Sequence, residues 1–85
     1  MIDAKTAASK AYGYFQDLYS DKAPGKVLLE EVELTDDQTF WLITLSHEIP
    51  IPNLAQLMGT TRAYKIFKID ANTGEVRSMK IRTIK

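Results

Sequence analysis

The chain contains no cysteine and a single histidine among its 85 residues. Without cysteine it can form no disulfide, and it offers no thiolate to a metal ion or to nucleophilic catalysis. One imidazole does not make a zinc site, which needs three or four protein ligands. A chain of this length without a covalent cross-link depends on its hydrophobic core, or on a partner subunit, for stability.

Glycine and long apolar runs are also scarce. The four glycines at positions 13, 25, 59 and 74 are too far apart for a phosphate-binding loop or a dinucleotide fingerprint, so we expect no cofactor. No stretch approaches the roughly 20 apolar residues of a membrane span. The N-terminus lacks the apolar segment of a secretion signal. We therefore expect a cytoplasmic protein with no membrane contact.

The charges balance over the whole chain but not along it. Residues 1–61 carry four Lys or Arg against nine Asp or Glu, and residues 62–85 carry seven against two. A nucleic-acid-binding domain is usually basic overall, so we expect no nucleic-acid partner. We interpret the asymmetry as acidic strands that lie beside basic strands and pair with them.

The apolar spacing predicts a helix over residues 3–20. Asp3 suits the N-cap position, where its carboxylate accepts from free backbone amides of the first turn. The residues that recur every three or four positions are Ala4, Ala8, Ala11, Phe15 and Leu18. They define one apolar face, and the small alanines let the helix lie close to a sheet.

Four strands are predicted after the helix, over residues 27–34, 39–46, 62–70 and 75–84. Apolar and polar residues alternate in most of them, the second strand is apolar on both faces as in a central strand, and short polar turns join most of them as hairpins. The fold class is therefore α+β: one N-terminal helix packed on a four-stranded antiparallel sheet. A chain of 85 residues is expected to form a single domain over its whole length.

The last hairpin, residues 64–82, resembles the signature of PepSY and PepSY-like domains. An aromatic-led strand, an aspartate, a polar turn with Thr-Gly and a Glu-Val pair carry the match. The residues are Tyr64, Phe67, Ile69, Asp70, Thr73, Gly74, Glu75 and Val76. The resemblance implies a PepSY-like helix-on-sheet domain. It also implies a non-catalytic inhibitory or binding module of a kind often associated with peptidases.

The polar turn after Asp70 has some features of a calcium loop. An EF-hand loop that starts there would need an oxygen ligand at position 5, glycine at 6 and glutamate at 12. The chain has Gly74, Glu75 and Ile81 at those positions. The same residues suit a bulged hairpin turn in which Gly74 takes a positive φ. We therefore predict a turn and no metal site.

Ser46, His47 and Glu48 bring together three residue types that serve in catalysis. Neighbours on a strand point to opposite faces of the sheet, so these three cannot assemble a triad. Pro50 and Pro52 would break the helix that an HExxH zinc motif needs. We predict a polar cluster at a strand end and no catalytic residue, and an enzyme is the least favoured class.

Residues 47–61 are predicted to be irregular, because prolines interrupt them. Irregular segments longer than about 12 residues tend to be functional. We also expect Phe40 and Leu42 to meet the helix, which leaves the opposite face of the second strand uncovered. The apolar residues of segment 47–61 either cover the sheet themselves or form a contact surface for another protein chain. The predicted binding residues are Trp41, Ile43, Leu45, Ile49, Ile51, Leu54, Leu57 and Met58.

The sequence thus predicts a non-catalytic protein-binding module, with a second copy of the chain as one partner. The alternative is a small inhibitor or immunity-type protein that masks an enzyme, a peptidase or a toxin, through a basic face. That face is predicted to consist of Lys65, Lys68, Lys80 and Arg82. The same residues also suit an ordinary solvated face of a half-buried hairpin.

Overall fold

A computed structural model of the chain describes residues 1–19, 26–50 and 60–82, and for residues 49, 50, 60 and 61 it describes the backbone alone. Helix α1 spans Ala4–Tyr19, and strands β1 to β4 span Val27–Leu34, Phe40–Pro50, Thr60–Asp70 and Val76–Arg82. The strands form one antiparallel sheet in the order β1-β2-β3-β4. The predicted α+β fold, with its N-terminal helix and four-stranded sheet, is confirmed.

Asp3 caps helix α1 as predicted. Its Oδ1 accepts a hydrogen bond from the amide of Thr6 at 2.8 Å. Bonding to Thr6 lowers the pKa of the Asp3 carboxyl. The buried face of the helix consists of Ala7, Ala11 and Phe15. Leu18, predicted to belong to this face, is 54% exposed. The buried residues of the helix therefore recur every four positions, at 7, 11 and 15.

The core lies between α1 and one face of the two central strands. Its buried members are Ala7, Ala11, Phe15, Ile43, Leu45, Phe67 and Ile69. Cross-strand partners share a face of a sheet, and Ile43 is paired with Phe67. Trp41 packs against the same cluster, and its indole N–H donates to the carbonyl of Ile2 at 3.0 Å. The segment before the helix is thereby tied to the sheet.

The predicted orientation of β2 is therefore wrong. Ile43 and Leu45 are only 0% and 3% exposed and lie under the helix together with Trp41. None of the three forms an open protein-binding face. The physical reason is the second half of the strand, where Thr44 and Ser46 make the other face the more polar one. The more apolar face is the one that the helix covers.

Strand β2 also continues beyond its predicted end. It runs to Pro50, which is the register partner of Thr60 in β3. Proline lacks an N–H, but as the last residue of the strand it interrupts no bond further along the ladder. Residues 47–50 and 60–61, predicted to be irregular, are thus strand. Of the predicted binding residues, the Ile49 side chain and all of Ile51, Leu54, Leu57 and Met58 lie outside the described residues.

The polar turn between β3 and β4 is the predicted bulged hairpin. Asp70 opposes two residues, because its carbonyl accepts from the amide of Gly74 at 2.9 Å and its amide donates to the carbonyl of Glu75 at 2.8 Å. Gly74 has a φ of 79°. The Asp70 carboxylate accepts from the amides of Asn72 and Thr73. These bonds, the one from Thr73 first, lower the pKa of Asp70.

Candidate functional site

The sheet face turned away from α1, called the open face below, carries the main candidate site. The register of the ladders assigns its residues. They are Leu28, Glu31 and Glu33 of β1, then Phe40, Leu42, Thr44, Ser46 and Glu48 of β2, then Arg62, Tyr64, Ile66, Lys68 and Asp70 of β3, and Ser78, Lys80 and Arg82 of β4. Glu30 sits at a bulge in β1, and its carboxylate also reaches this face.

Arg62 crosses the open face at one end. Its Nε donates to the Ser46 hydroxyl at 3.0 Å, and its terminal nitrogen donates to the carbonyl of Lys26 at 2.8 Å. A second terminal nitrogen lies 3.8 Å from the Glu48 carboxylate. The Ser46 hydroxyl in turn donates to Glu30 at 2.7 Å. The guanidinium therefore reaches from β3 over β2 to the start of β1, which fixes its position.

Arg82 also crosses this face. It lies in the neighbouring row of the sheet, opposite Tyr64, and reaches across two strands. It lies on β4, and its terminal nitrogen donates to the Thr44 hydroxyl of β2 at 2.9 Å. The same nitrogen forms an ion pair with Glu31 of β1. The contact between Arg82 and Glu31 thus joins the two edge strands of the sheet. The predicted pairing of acidic strands with basic strands is confirmed by this contact and by the pair of Arg62 with Glu48.

The two arginines explain why both faces of β2 are buried although one helix covers only one of them. Thr44 is 2% exposed and Ser46 is 0% exposed. Long arginine side chains cover the surface beneath them while their charged ends stay near water. At this part of the face the cover therefore comes from within the molecule.

The charged residues of the open face start from different strands but meet over β1 and β2. The carboxylates of Glu30, Glu31, Glu33 and Glu48 belong to β1 and β2. The basic residues Arg62, Lys68, Lys80 and Arg82 belong to β3 and β4, as does Asp70. The guanidinium groups of Arg62 and Arg82 lie over β1 and β2, where they contact Glu48 and Glu31.

Apolar groups lie between the charged groups. Phe40, Leu42 and Ile66 are half-buried on the central strands. The Lys68 ammonium sits 4.6 Å from the centre of the Phe40 ring, a cation–π distance. Leu42 and Ile66 form part of a shallow depression of about 190 Å³ whose other lining residues are Glu31, Glu33, Thr44 and Arg82. Two apolar side chains therefore lie among charged and polar ones in the middle of the face.

The predicted basic face is divided between the two sides of the sheet. Lys68, Lys80 and Arg82 lie on the open face. Lys65 is paired with Leu45 and with Ile81, so it belongs to the side that faces the helix. The alternation of β3 separates it from the other three, and the inclusion of Lys65 in one basic face is wrong.

The catalytic-type residues of β2 are placed on opposite sides, as predicted. Ser46 faces the arginines, whereas His47 is 6% exposed beneath the helix. The His47 ring lies 5.0 Å from the Phe15 ring and 6.1 Å from the Tyr19 ring, measured between centroids. Neither ring nitrogen has a hydrogen-bond partner among the described residues. Burial, and then the charges of Lys65 and Arg62, lower the pKa of His47.

A second depression lies on the helix side of the sheet. It is a groove of about 400 Å³ between α1 and β1, lined by Ala8, Tyr12, Gly13, Val27 and Leu29 among others. Within the described ranges, no group of three or more His, Asp or Glu side chains is arranged to hold a metal ion. In those same ranges no helix combines the length and the apolar character that a membrane crossing requires.

Comparison with known proteins gives no match for this chain, whether with protein-family models, with curated proteins or with solved structures. The resemblance of the last hairpin to PepSY domains therefore stays a prediction.

Sequence reasoning missed the two covering arginines as a site. The pattern of β4 predicts Arg82 as part of a basic face, but it does not predict that Arg62 and Arg82 reach across to β2 and β1. A signal was present in Thr44 and Ser46, two hydroxyl residues on one face of a central strand. Buried hydroxyls need hydrogen-bond partners, and the carboxylates and arginines of neighbouring strands are the groups that provide them here.

Proposed function

We propose that the protein is a non-catalytic module that binds another protein chain through the open face of its sheet. The observation that carries the proposal is the pair of arginines, Arg62 and Arg82, held across that face by hydrogen bonds to Ser46 and Thr44. Arginine and aromatic residues are the side chains most enriched at the energetic centres of protein interfaces. Tyr64 and Phe40 provide the aromatic part of this set.

Preorganisation supports the same function. Ordering a long side chain at an interface costs roughly 0.5–1.5 kcal/mol, and the two guanidinium groups are already ordered by contacts within the molecule. The depression beside Leu42 and Ile66 adds an apolar contact in the middle of a polar surface. An apolar centre with a charged surround is the usual arrangement of a protein interface.

A catalytic role has less support on the same face. The Ser46 hydroxyl donates to Glu30, which superficially resembles a nucleophile with its base. However, the serine is buried and its oxygen accepts from Arg62, which lowers its nucleophilicity. His47 lies on the opposite side of the sheet and cannot assist.

Site-specific photocrosslinking in the source cell tests the proposal. A benzophenone amino acid replaces Tyr64, on the open face, or Tyr12, on the exposed side of α1. We expect a discrete protein adduct from the Tyr64 position and not from the Tyr12 control, with mass spectrometry naming the partner. An adduct at Tyr12 alone, or none at either position, would contradict the proposal.

The same experiment addresses the alternative function, an inhibitor or immunity-type protein. In that case the crosslinked partner is an enzyme, and the purified protein reduces its activity. Reversing Lys68 and Lys80 to glutamate should then abolish the inhibition. Neither lysine takes part in the hydrogen bonds of Arg62 and Arg82, so those bonds stay in place in the variant. A partner with no enzymatic activity would favour the general binding module.

A further inference from the structure

Strand β1 is an edge strand whose apolar side chains stay at the surface. In the described part of the chain it pairs with β2 on one side and with no strand on the other. None of its eight side chains is buried, and Leu28, Leu29 and Val32 are exposed. The backbone N–H and C=O groups on an unpaired side of a strand are able to form further ladder bonds. Apolar groups beside such an edge mark it as a candidate contact surface.

Helix α1 leaves the start of β1 uncovered on the helix side of the sheet. The groove of about 400 Å³ between them takes Val27, Leu29 and Leu45 from the sheet and Tyr12 and Gly13 from the helix. A strand added beside β1 directs every second side chain to this side of the sheet. Apolar side chains at those positions border the groove and cover its apolar lining.

The other side of β1 is acidic. Glu31 and Glu33 belong to the open face by their register with β2. Glu31 is already paired with Arg82, and Glu30 at the bulge accepts a hydrogen bond from a serine of β2. Glu33 is exposed and forms no ion pair with any of the described residues. A basic side chain placed opposite Glu33 therefore meets a carboxylate that is not yet paired.

We infer that the edge of β1 binds an extended segment of another protein, which adds a further strand to the sheet. The segment carries lysine or arginine on the open side, opposite Glu33, and apolar side chains on the helix side, beside Val32 and the groove. Main-chain hydrogen bonds hold the added strand, and its alternate side chains select it. The site is the edge of the sheet, so the inference goes beyond binding through the open face and does not depend on it.

The charges of β1 disfavour a second β1 as the added strand. Two antiparallel β1 strands paired around Val32 place Glu31 of each copy opposite Glu33 of the other, and like charges directly opposite are destabilising. The bulge at Glu30 also limits unspecific pairing. Beyond the bulge, Glu31–Leu34 keeps a regular register with β2 and is the part that pairs. The edge is thus protected against its own copies and complementary to a basic strand.

An NMR titration with a short capped peptide of alternating lysine and valine tests the inference. We expect saturable shifts of the amide signals of Glu31, Val32 and Glu33, with a dissociation constant on the order of 1 mM or below. The β1 amides that point away from β2 should also exchange more slowly with solvent. A matched peptide of alternating glutamate and valine should not bind. Absence of saturable shifts with the lysine–valine peptide would overturn the inference.

N-methylated peptides separate strand addition from contact through side chains alone. Methylating the valine amides of the peptide removes the hydrogen-bond donors on one edge of the strand, and methylating the lysine amides removes those on the other. Because only one edge pairs with β1, one methylated peptide should bind like the parent and the other at least about tenfold more weakly. Equal affinities of the two methylated peptides would contradict an added strand.

Two pairs of variants test the two sides of β1. Glu33→Lys should weaken binding of the lysine–valine peptide about fivefold or more, whereas Asp17→Lys makes the same charge change on the exposed side of α1 and should not. Leu29→Gln should weaken it about threefold or more. Leu18→Gln is the matched control, because Leu18 and Leu29 are 54% and 53% exposed and Leu29 alone lines the groove. Equal losses within either pair would place the peptide elsewhere and refute the inference.

The remaining outcomes separate this inference from the proposed function. If the peptide shifts the signals of Tyr64 and Ile66 and leaves those of β1 unchanged, the inference fails and the open face stands as the binding surface. If the peptide binds β1 while the Tyr64 photocrosslinker captures no protein, the inference stands and the proposed function fails. If the purified chain itself associates and Glu33→Lys abolishes that association, the added strand is a second copy, and the inference of a different protein fails.

Discussion

Gly74 has a backbone conformation that favours glycine, whereas Gly13 lies in a helix that alanine would favour. Alanine should therefore lower the stability at Gly74 and raise it at Gly13. Gly74 has a φ of 79°, and a Cβ there would lie 3.3 Å from Cε of Lys10. Because an L-residue is strained at that φ, Gly74→Ala should destabilise by about 1 kcal/mol. Gly13 lies within α1, and a Cβ there would meet nothing within 4 Å, so Gly13→Ala should stabilise by about 0.5–1 kcal/mol.

Urea unfolding followed by circular dichroism measures both changes, and each variant serves as the control for the other. Equal slopes with shifted midpoints would show that only stability has changed. Two shifts of the same sign would contradict the assigned conformations.

His47 should make stability depend on pH in the weakly acidic range. Its pKa is lowered from 6.5 in the folded protein, so below that pH the unfolded chain binds more protons. The contribution of the neutral imidazole is therefore complete above about pH 6.5. It is lost as the pH falls towards the lower folded pKa, with a slope of up to about 1.4 kcal/mol per pH unit.

Thermal or urea unfolding between about pH 7.5 and about pH 5 measures this loss. Besides burial, the charge of Lys65 and, less strongly, that of Arg62 lower the pKa of His47, whereas the backbone of Glu48 raises it. His47→Phe keeps a ring against Phe15 and Tyr19 and should flatten the profile. The carboxyls of Asp3, Asp37 and Asp70 have lowered pKa values and affect stability only at lower pH. A variant profile as steep as that of the wild type would exclude His47 as the cause.

At the scale of the elements, the arginine on β4 should contribute to the sheet as a cross-brace. Arg82→Met keeps an apolar stem but removes the contacts with Glu31 and Thr44. Since the Thr44 hydroxyl is buried, losing its partner should cost about 1–2 kcal/mol. Arg77→Met is the matched control, because the partner of Arg77 within the described ranges is the exposed Glu75 two residues away, and its loss should change stability by less than about 0.5 kcal/mol. Equal losses in the two variants would refute the role of the crossing contact.

The element boundaries show how far local patterns determine this fold. The N-cap at Asp3 and the turn at Asp70 were predictable, since each depends on residues within five positions of the aspartate. The face of β2 was not, because both of its faces begin with large apolar residues. Its orientation depends on where α1 packs, and the polar residues Thr44 and Ser46 carry the only local signal.

The candidate site was less predictable than the fold, because it depends on contacts between residues that are far apart in the sequence. Arg82 contacts residues on two strands more than 30 positions away, β2 and β1, and only the register of three ladders brings them together. A period-two pattern places Lys68 and Lys80 correctly within their strands. The pattern alone does not place Lys65 on the helix side of the sheet. That placement follows from the pairing of Lys65 with Leu45, which lies under the helix.

At the scale of the whole molecule, the central ladder should be the last part to open. β2 and β3 are paired over their full lengths, from Phe40 with Asp70 to Pro50 with Thr60, and each has a second neighbour. α1 is docked by three buried side chains, of which two are alanines. Alanines bury little apolar area, and the cost of releasing an element grows with that area. The helix should therefore undock at a lower free energy than global unfolding requires.

Native-state hydrogen exchange under increasing denaturant measures this order. The ladder amides of Ile43, Leu45 and Phe67 should exchange only through global unfolding, with a steep dependence on denaturant. Amides in the middle of α1 should exchange at least about tenfold faster, with a shallower dependence, because less surface opens. The two crossing arginines link β1 to β3 and β4, so the ladder amides of β1 should exchange more slowly than those of α1. Identical rates and slopes for helix and ladder would mean that the molecule opens as one unit.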